Sequence, residues 1–245
     1  MDEQVTLRPA FYAAGDRGWR QWWTLLHPPY TAWHLGYVVI GASLAPHVAL
    51  TPLLAAVGAF LLAVGLAAHA LDELHGRPLR TTISGTTLSV AAGAGLVGAG
   101  VLGVLGVVRV GVVLVPFLVV GPLLVVGYNA ELFGGVLHCD AGFAASWGAF
   151  PVLTAYVAEA HTLAAAPVLA ALGAFALSLA QRHLSTSART LRRHVTAIEG
   201  TMHLADGSVR PIGPATLLAP AERALRSMSW GVVLLAAALA TARLS

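Results

Sequence analysis

Long apolar runs broken by short polar segments dominate the chain. A helix needs about 20 apolar residues to cross a bilayer, and runs of that order place spans at about 29–49, 50–71, 85–108, 110–130, 145–164, 165–182 and 228–243. The expected fold is therefore all-α: a multi-span transmembrane helical bundle of about seven spans. The last run is short. The fifth and sixth are parted only by Ala164–Pro167. Two polar segments frame the bundle. Residues 1–28 form an N-terminal segment in which 8–28 carry Trp19, Trp22 and Trp23 beside Arg17 and Arg20, the make-up of an amphipathic stretch at a membrane interface. Residues 183–227 form the one sizeable polar excursion, with a turn signal at Asp206-Gly207-Ser208 that predicts a short hairpin, followed by Pro211, Pro214 and Pro220. Neither is large enough for a second domain, so 29–245 reads as a single membrane domain.

Composition agrees. Hydrophobic residues make up 57% and charged residues 10% of the 245, against roughly 45–50% and 25% in soluble domains, and the mean hydropathy is +0.77. Too few polar residues exist to cover a water-exposed surface, which makes this an integral, multi-pass membrane protein, expected in a bacterial or archaeal cytoplasmic membrane. All 14 basic residues are arginine. Three fall in 1–28, two in 72–84 and seven in 181–227, with only Arg109 and Arg243 at the opposite ends of the spans. Positive charge concentrates on the cytoplasmic side, so the N-terminus is expected inside. The arginines read as topology determinants, which argues against a nucleic-acid partner. The single Cys139 excludes internal disulfides and Cys-based zinc clusters. The first 28 residues lack a cleavable apolar core, so the mature chain is expected to begin near Met1.

Ionisable residues within spans are costly and usually face a partner, a cavity or a ligand. The second span ends Ala68-His69-Ala70-Leu71-Asp72-Glu73-Leu74-His75-Gly76-Arg77-Pro78. His69 lies three and four residues before Asp72 and Glu73, so the three share a helix face. The fourth span ends Tyr128-Asn129-Ala130-Glu131, and His138-Cys139-Asp140 follow. A helix continued to His138 would return it to within about 20° of Glu131, although Gly134-Gly135 interrupt it. The first span adds His34 with His27 just before it, and the sixth ends Gln181-Arg182-His183. Mixed imidazole and carboxylate donors at one membrane face suit iron, manganese or zinc, and an all-oxygen set would suit magnesium. Helix–helix hydrogen bonding explains a lone intramembrane histidine as well as ligation does. Toward the other face lie His47, Glu159 and His161, for which packing or a proton-linked pair serves equally. Tyr128, Tyr156, Trp147 and Trp230 are candidates to line a lipid-tail cavity.

These stretches give the chain a resemblance to the UbiA superfamily of intramembrane prenyltransferases. His27-Pro28-Pro29 running into an apolar span with Gly41-Ala42 resembles that family's opening helix. Ala68-His69-Ala70-Leu71-Asp72 lies where the family has its N-D-x-x-D motif, Trp147-Gly148-Ala149-Phe150-Pro151 resembles its fifth span, and Arg189-Thr190-Leu191 the end of its second acidic motif. The likeness covers roughly residues 20–245. It implies a lipid cavity, a cytoplasmic-side site, and magnesium ions holding an allylic diphosphate. The chain departs from this pattern: His69 and Gly76 stand in acidic positions, 179–187 holds no carboxylate, and Glu131 stands where basic residues are usual.

The function expected first is accordingly a UbiA-like metal-dependent enzyme acting on an isoprenoid or other long-chain lipid. Its metal ligands would be His69, Asp72, Glu73, Glu131, His138 and His34, with Tyr128 and Asp140 as catalytic candidates. Iron is favoured over manganese or zinc, with oxidative chemistry. The alternatives are magnesium-dependent prenyl transfer, with Arg77, Arg80 and Arg182 binding the diphosphate, and a non-enzymatic lipid-binding or transport protein.

Overall fold

The computed structural model describes residues 8–15 and 17–245; residues 1–7 and Asp16 of the expected N-terminal segment lie outside it. Eight helices follow in chain order: α1 (Trp19–Leu25), α2 (Pro28–Ser43), α3 (Leu50–Leu74), α4 (Gly85–Val110), α5 (Val112–Asn129), α6 (Asp140–Ala160), α7 (Ala165–Arg193) and α8 (Pro214–Leu244). Helices α3 to α8 are each 18 to 31 residues long and apolar enough to cross a membrane, which fits an integral multi-pass membrane protein.

Among the described residues six helices, not the seven expected, meet that length. The run at 29–49 is the exception: α2 stops at Ser43 after 16 residues, or about 24 Å at 1.5 Å per residue, short of the roughly 30 Å hydrocarbon core. Such a helix is tolerated where protein surrounds it, because its end groups can be satisfied internally. Here Trp33 and Tyr37 are fully buried against α6, α7 and α8, Val38 and Ala42 against α3 and α6, and Arg243 Nε donates to the Ser43 carbonyl, 3.0 Å away, at the helix end. Gly41 makes this packing possible, since a Cβ there would run into the Val152 backbone of α6.

The polar excursion narrows. Helix α7 runs on to Arg193 and α8 begins at Pro214, which leaves 194–213 between them. Within it β1 (Thr201–His203) pairs antiparallel with β2 (Val209–Pro211), and Asp206 Oδ1 accepts from the Ser208 N–H and hydroxyl at the turn. The hairpin is where Asp206-Gly207-Ser208 predicts it. Among the described residues before α2, α1 is the helical stretch, with Trp19 and Trp23 exposed and Leu25 buried.

Two helices carry a wide π-helical stretch: Leu61–Ala68 in α3 and Ala145–Ala149 in α6. Such turns alter the regular backbone ladder and recur at functional sites. Both accept hydrogen bonds from histidine side chains.

Candidate functional site

Three of the predicted histidines are fixed in the same way. His34 Nδ1 donates to the Trp147 carbonyl at 2.9 Å, His69 Nδ1 to the Gly65 carbonyl at 3.0 Å, and His138 Nδ1 to the Tyr128 carbonyl at 3.0 Å. A carbonyl only accepts, so each Nδ1 carries a proton, which leaves Nε2 as the position with a lone pair in the neutral ring. Trp147 and Gly65 lie in the π-helical stretches. Tyr128 joins the group by stacking: its ring lies 4.6 Å from that of His138, and edge-on to Trp147 at 5.7 Å. Its hydroxyl is buried without a hydrogen-bond partner.

The carboxylates are differently employed. Glu73 is fully buried and turned toward the loop after α3, where Oε2 accepts from Leu79 N–H at 2.9 Å and Oε1 accepts from Thr81 N–H at 2.8 Å and its hydroxyl at 2.9 Å. Helix α5 ends at Asn129, so Glu131 and His138 do not share a helix face; Glu131 sits in a left-handed turn with φ 49°. The chain reversal still brings Glu131 Oε1 to 3.9 Å from both His75 Nε2 and His138 Nδ1. Asp140 pairs with Arg182 at 3.1 Å and His183 at 3.5 Å. Among the described residues, no three His, Cys, Asp or Glu side chains gather as a metal group. The donor chemistry of the histidines suits a metal, and their spacing does not assemble one site.

Asp72 lines a polar crypt of about 50 Å³ with Tyr12, His27, Tyr30, Arg189 and Arg193. His27 starts α2 in a left-handed conformation, its ring 4.2 Å from that of His69 and its Nε2 buried and unpartnered. Burial first, then the neighbouring His69 and arginines, holds its pKa well below the usual histidine value. Burial and the adjacent Tyr30 push the Tyr12 phenol up. The segment 8–15 covers the crypt. Arg192 donates to the Arg8 carbonyl, Arg193 donates to the Pro9 carbonyl, and the Arg226 guanidinium lies over the Phe11 ring at 4.8 Å. Arg192 also pairs with Glu222, both nearly buried.

Of the arginines expected to hold a diphosphate, Arg77 donates to the Ile83 carbonyl, Arg80 is exposed, and Arg182 is paired with Asp140. None lines the crypt. The sequence points to Arg189 only through the resemblance of Arg189-Thr190-Leu191, and to Arg193, Tyr12 and Tyr30 not at all; a further signal is the i, i+4 spacing of Arg189 and Arg193 on a helix end.

A second cavity, about 490 Å³ and almost wholly apolar, lies between α3, α4, α5 and α6. Its inner end at Phe60, Ala63, Leu96 and Val125 belongs to the packing cluster that contains Tyr128 and Trp147. Of the four aromatics expected there, Tyr128 and Trp147 stand behind the wall, Tyr156 packs in the cluster at the other end, and Trp230 is exposed. At that other end Glu159 accepts from the Ala49 N–H, while His47 and His161 are exposed.

Compared with known proteins, the chain matches no family, no curated protein and no solved structure. What the fold defines is a multi-pass helical membrane protein with an apolar cavity and a buried polar layer at one end.

Proposed function

We propose that the chain is an intramembrane enzyme of UbiA-like architecture, with its N-terminus in the cytoplasm, that draws a long-chain or isoprenoid lipid into the apolar cavity and acts on the part nearest Tyr128. The observation that carries this reading is the juxtaposition at the cavity's inner end. A 490 Å³ apolar space, within the roughly 300–1,000 Å³ of small-molecule sites, shares its wall with a buried phenol whose hydroxyl lacks a partner. A buried polar group without a partner costs about 1–3 kcal/mol, and a polar group on a bound lipid would supply one. Because Tyr128 stands behind the inner wall at Phe60, Ala63, Leu96 and Val125, it would donate a hydrogen bond to the substrate where the lipid's polar group passes that wall. His138, stacked on its ring and held by the Tyr128 carbonyl, would fix its position.

The transition-metal form of this reading, with iron foremost, draws support from the Nε2 lone pairs of His34, His69 and His138. Because these residues do not converge with three ligands, no step is assigned to a metal. Magnesium-dependent transfer from a diphosphate is disfavoured by the existing partners of Arg77 and Arg182.

The test is to incubate total membrane lipids with purified protein and compare the lipids before and after by mass spectrometry. The reading predicts a lipid consumed by wild type and left unchanged, yet still bound, by Tyr128→Phe. Equal conversion by Tyr128→Phe would remove Tyr128 from the reaction.

A further inference from the structure

The apolar cavity has one charged residue in its lining, and its position gives the site a direction. Arg109, on the last turn of α4, stands at the end formed by Thr51, Pro52 and Leu114, whereas the inner end at Val125 leads to Tyr128. From Leu114 to Val125 helix α5 advances about 16 Å at 1.5 Å per residue, with apolar side chains between. Arg109 has no ion pair among the described residues. The nearby carboxylate, Glu159, accepts from the Ala49 N–H through Oε2, keeps Oε1 without a hydrogen bond, makes no ion pair with Arg109 and does not line the cavity. An exposed guanidinium that makes no side-chain hydrogen bond or ion pair among the described residues, at one end of an apolar cavity, suits an anionic head on a hydrocarbon chain.

We infer that the cavity selects a single-chain lipid carboxylate, a long-chain fatty acid, with its carboxylate on Arg109 and its chain directed inward toward Tyr128. This rests on the reading of the cavity as a lipid site and names the class of lipid. Single-chain selectivity follows from volume, since 490 Å³ lies in the lower half of the range for small-molecule sites. The orientation follows from charge, because no other lining residue is ionisable. It also places the far end of the chain, rather than the acid head, nearest Tyr128, so the polar group that Tyr128 is proposed to meet is a second one carried near that far end.

The experiment measures binding of hexadecanoic acid, hexadecanol and a lysophosphatidic acid with the same chain to the full-length protein in neutral phosphatidylcholine nanodiscs. It is run at a pH where the acid is ionised and compared at equal membrane mole fraction. Wild type is expected to bind the acid at least roughly tenfold more tightly than the alcohol, the scale of one charge-assisted hydrogen bond. Arg109→Gln is expected to abolish that preference while still binding both, and Arg109→Lys to restore part of it. Gly100 lines the cavity and a Cβ there would meet nothing within 4 Å, so Gly100→Phe is expected to block all three ligands in a folded protein. Equal binding of acid and alcohol by wild type, or a preference that survives Arg109→Gln, would overturn the inference while leaving the lipid cavity intact. Tighter binding of the lysophosphatidic acid would overturn the choice of carboxylate. Failure of every ligand to bind wild type would overturn the cavity reading and this inference with it.

Discussion

The imidazole rings of His27 and His69 lie 4.2 Å apart with 32° between their planes, one at the start of α2 and the other near the end of α3. Two protonated rings could not share this space, and His27 is also faced by Arg189 and Arg193. Asp72, Tyr12 and Tyr30 complete its surroundings. The pair therefore joins two helices with at most one ring charged, and burial with the facing arginines keeps His27 the neutral one.

A pH dependence follows from that neutrality. The His27 pKa is lowered in the folded protein from an ordinary value of 6.5, so below about pH 6.5 the unfolded chain binds more protons there. Stability from this group is present above that pH and is lost as pH falls toward the depressed value. Thermal unfolding in detergent between pH 7.5 and pH 5 should show wild type losing stability on the acid side. His27→Gln should flatten that loss, and an unchanged slope in the variant would show that His27 does not titrate in this way.

Glu73 anchors the loop after α3 rather than a neighbouring helix. Removing its carboxylate leaves the Leu79 and Thr81 N–H groups without an acceptor in a buried setting, at about 1–3 kcal/mol for each group left unsatisfied. Glu73→Ala should therefore lower stability by about 3 kcal/mol, read by denaturation in mixed micelles. Glu73→Gln, which keeps one acceptor oxygen, should recover part of the loss.

The Arg192–Glu222 pair ties the end of α7 to the first turns of α8, with side chains 13% and 11% exposed. Breaking one partner of a nearly buried pair strands the other charge, at about 3–5 kcal/mol. Arg192→Met and Glu222→Leu should each be strongly destabilising. The double variant should be more stable than either, a coupling that a double-mutant cycle measures directly.

Gly41 and the Val152 backbone set the separation of α2 and α6. Any side chain at Gly41 meets main chain instead of a flexible side chain, so the helices must part. Gly41→Ala should destabilise by about 1–3 kcal/mol, the usual range for overpacking. Gly93→Ala, where the added atom meets nothing within 4 Å, should be neutral or slightly stabilising in the same unfolding assay.

Span positions were legible because apolar runs report directly which residues avoid water, and the hairpin because Asp206-Gly207-Ser208 has local turn chemistry. The length of α2 was not, since Leu44, Ala45 and Val48 continue the apolar run after the helix stops at Ser43. Hydropathy registers burial, and these residues are buried or half-buried as loop. The histidine positions were readable as costly, but not the carbonyls that hold them, which depend on π-helical stretches at Gly65 and Trp147. The crypt was hidden for a different reason. It joins Tyr12 to Arg193 across most of the chain, and helical periodicity records which face is polar without naming what that face meets.

Lipid occupancy of the apolar cavity tests the account most directly. Gly100 lines it and a Cβ added there meets nothing within 4 Å, so Gly100→Leu narrows the cavity with little disturbance of packing and replaces glycine by a better helix former. Native mass spectrometry of wild type and Gly100→Leu, both released from mild detergent, should show a bound long-chain lipid on wild type and a marked loss of it on the variant at equal thermal stability. The same lipid retained at the same occupancy on Gly100→Leu, or a wild-type protein that carries none and takes none up from added membrane lipid, would contradict the account.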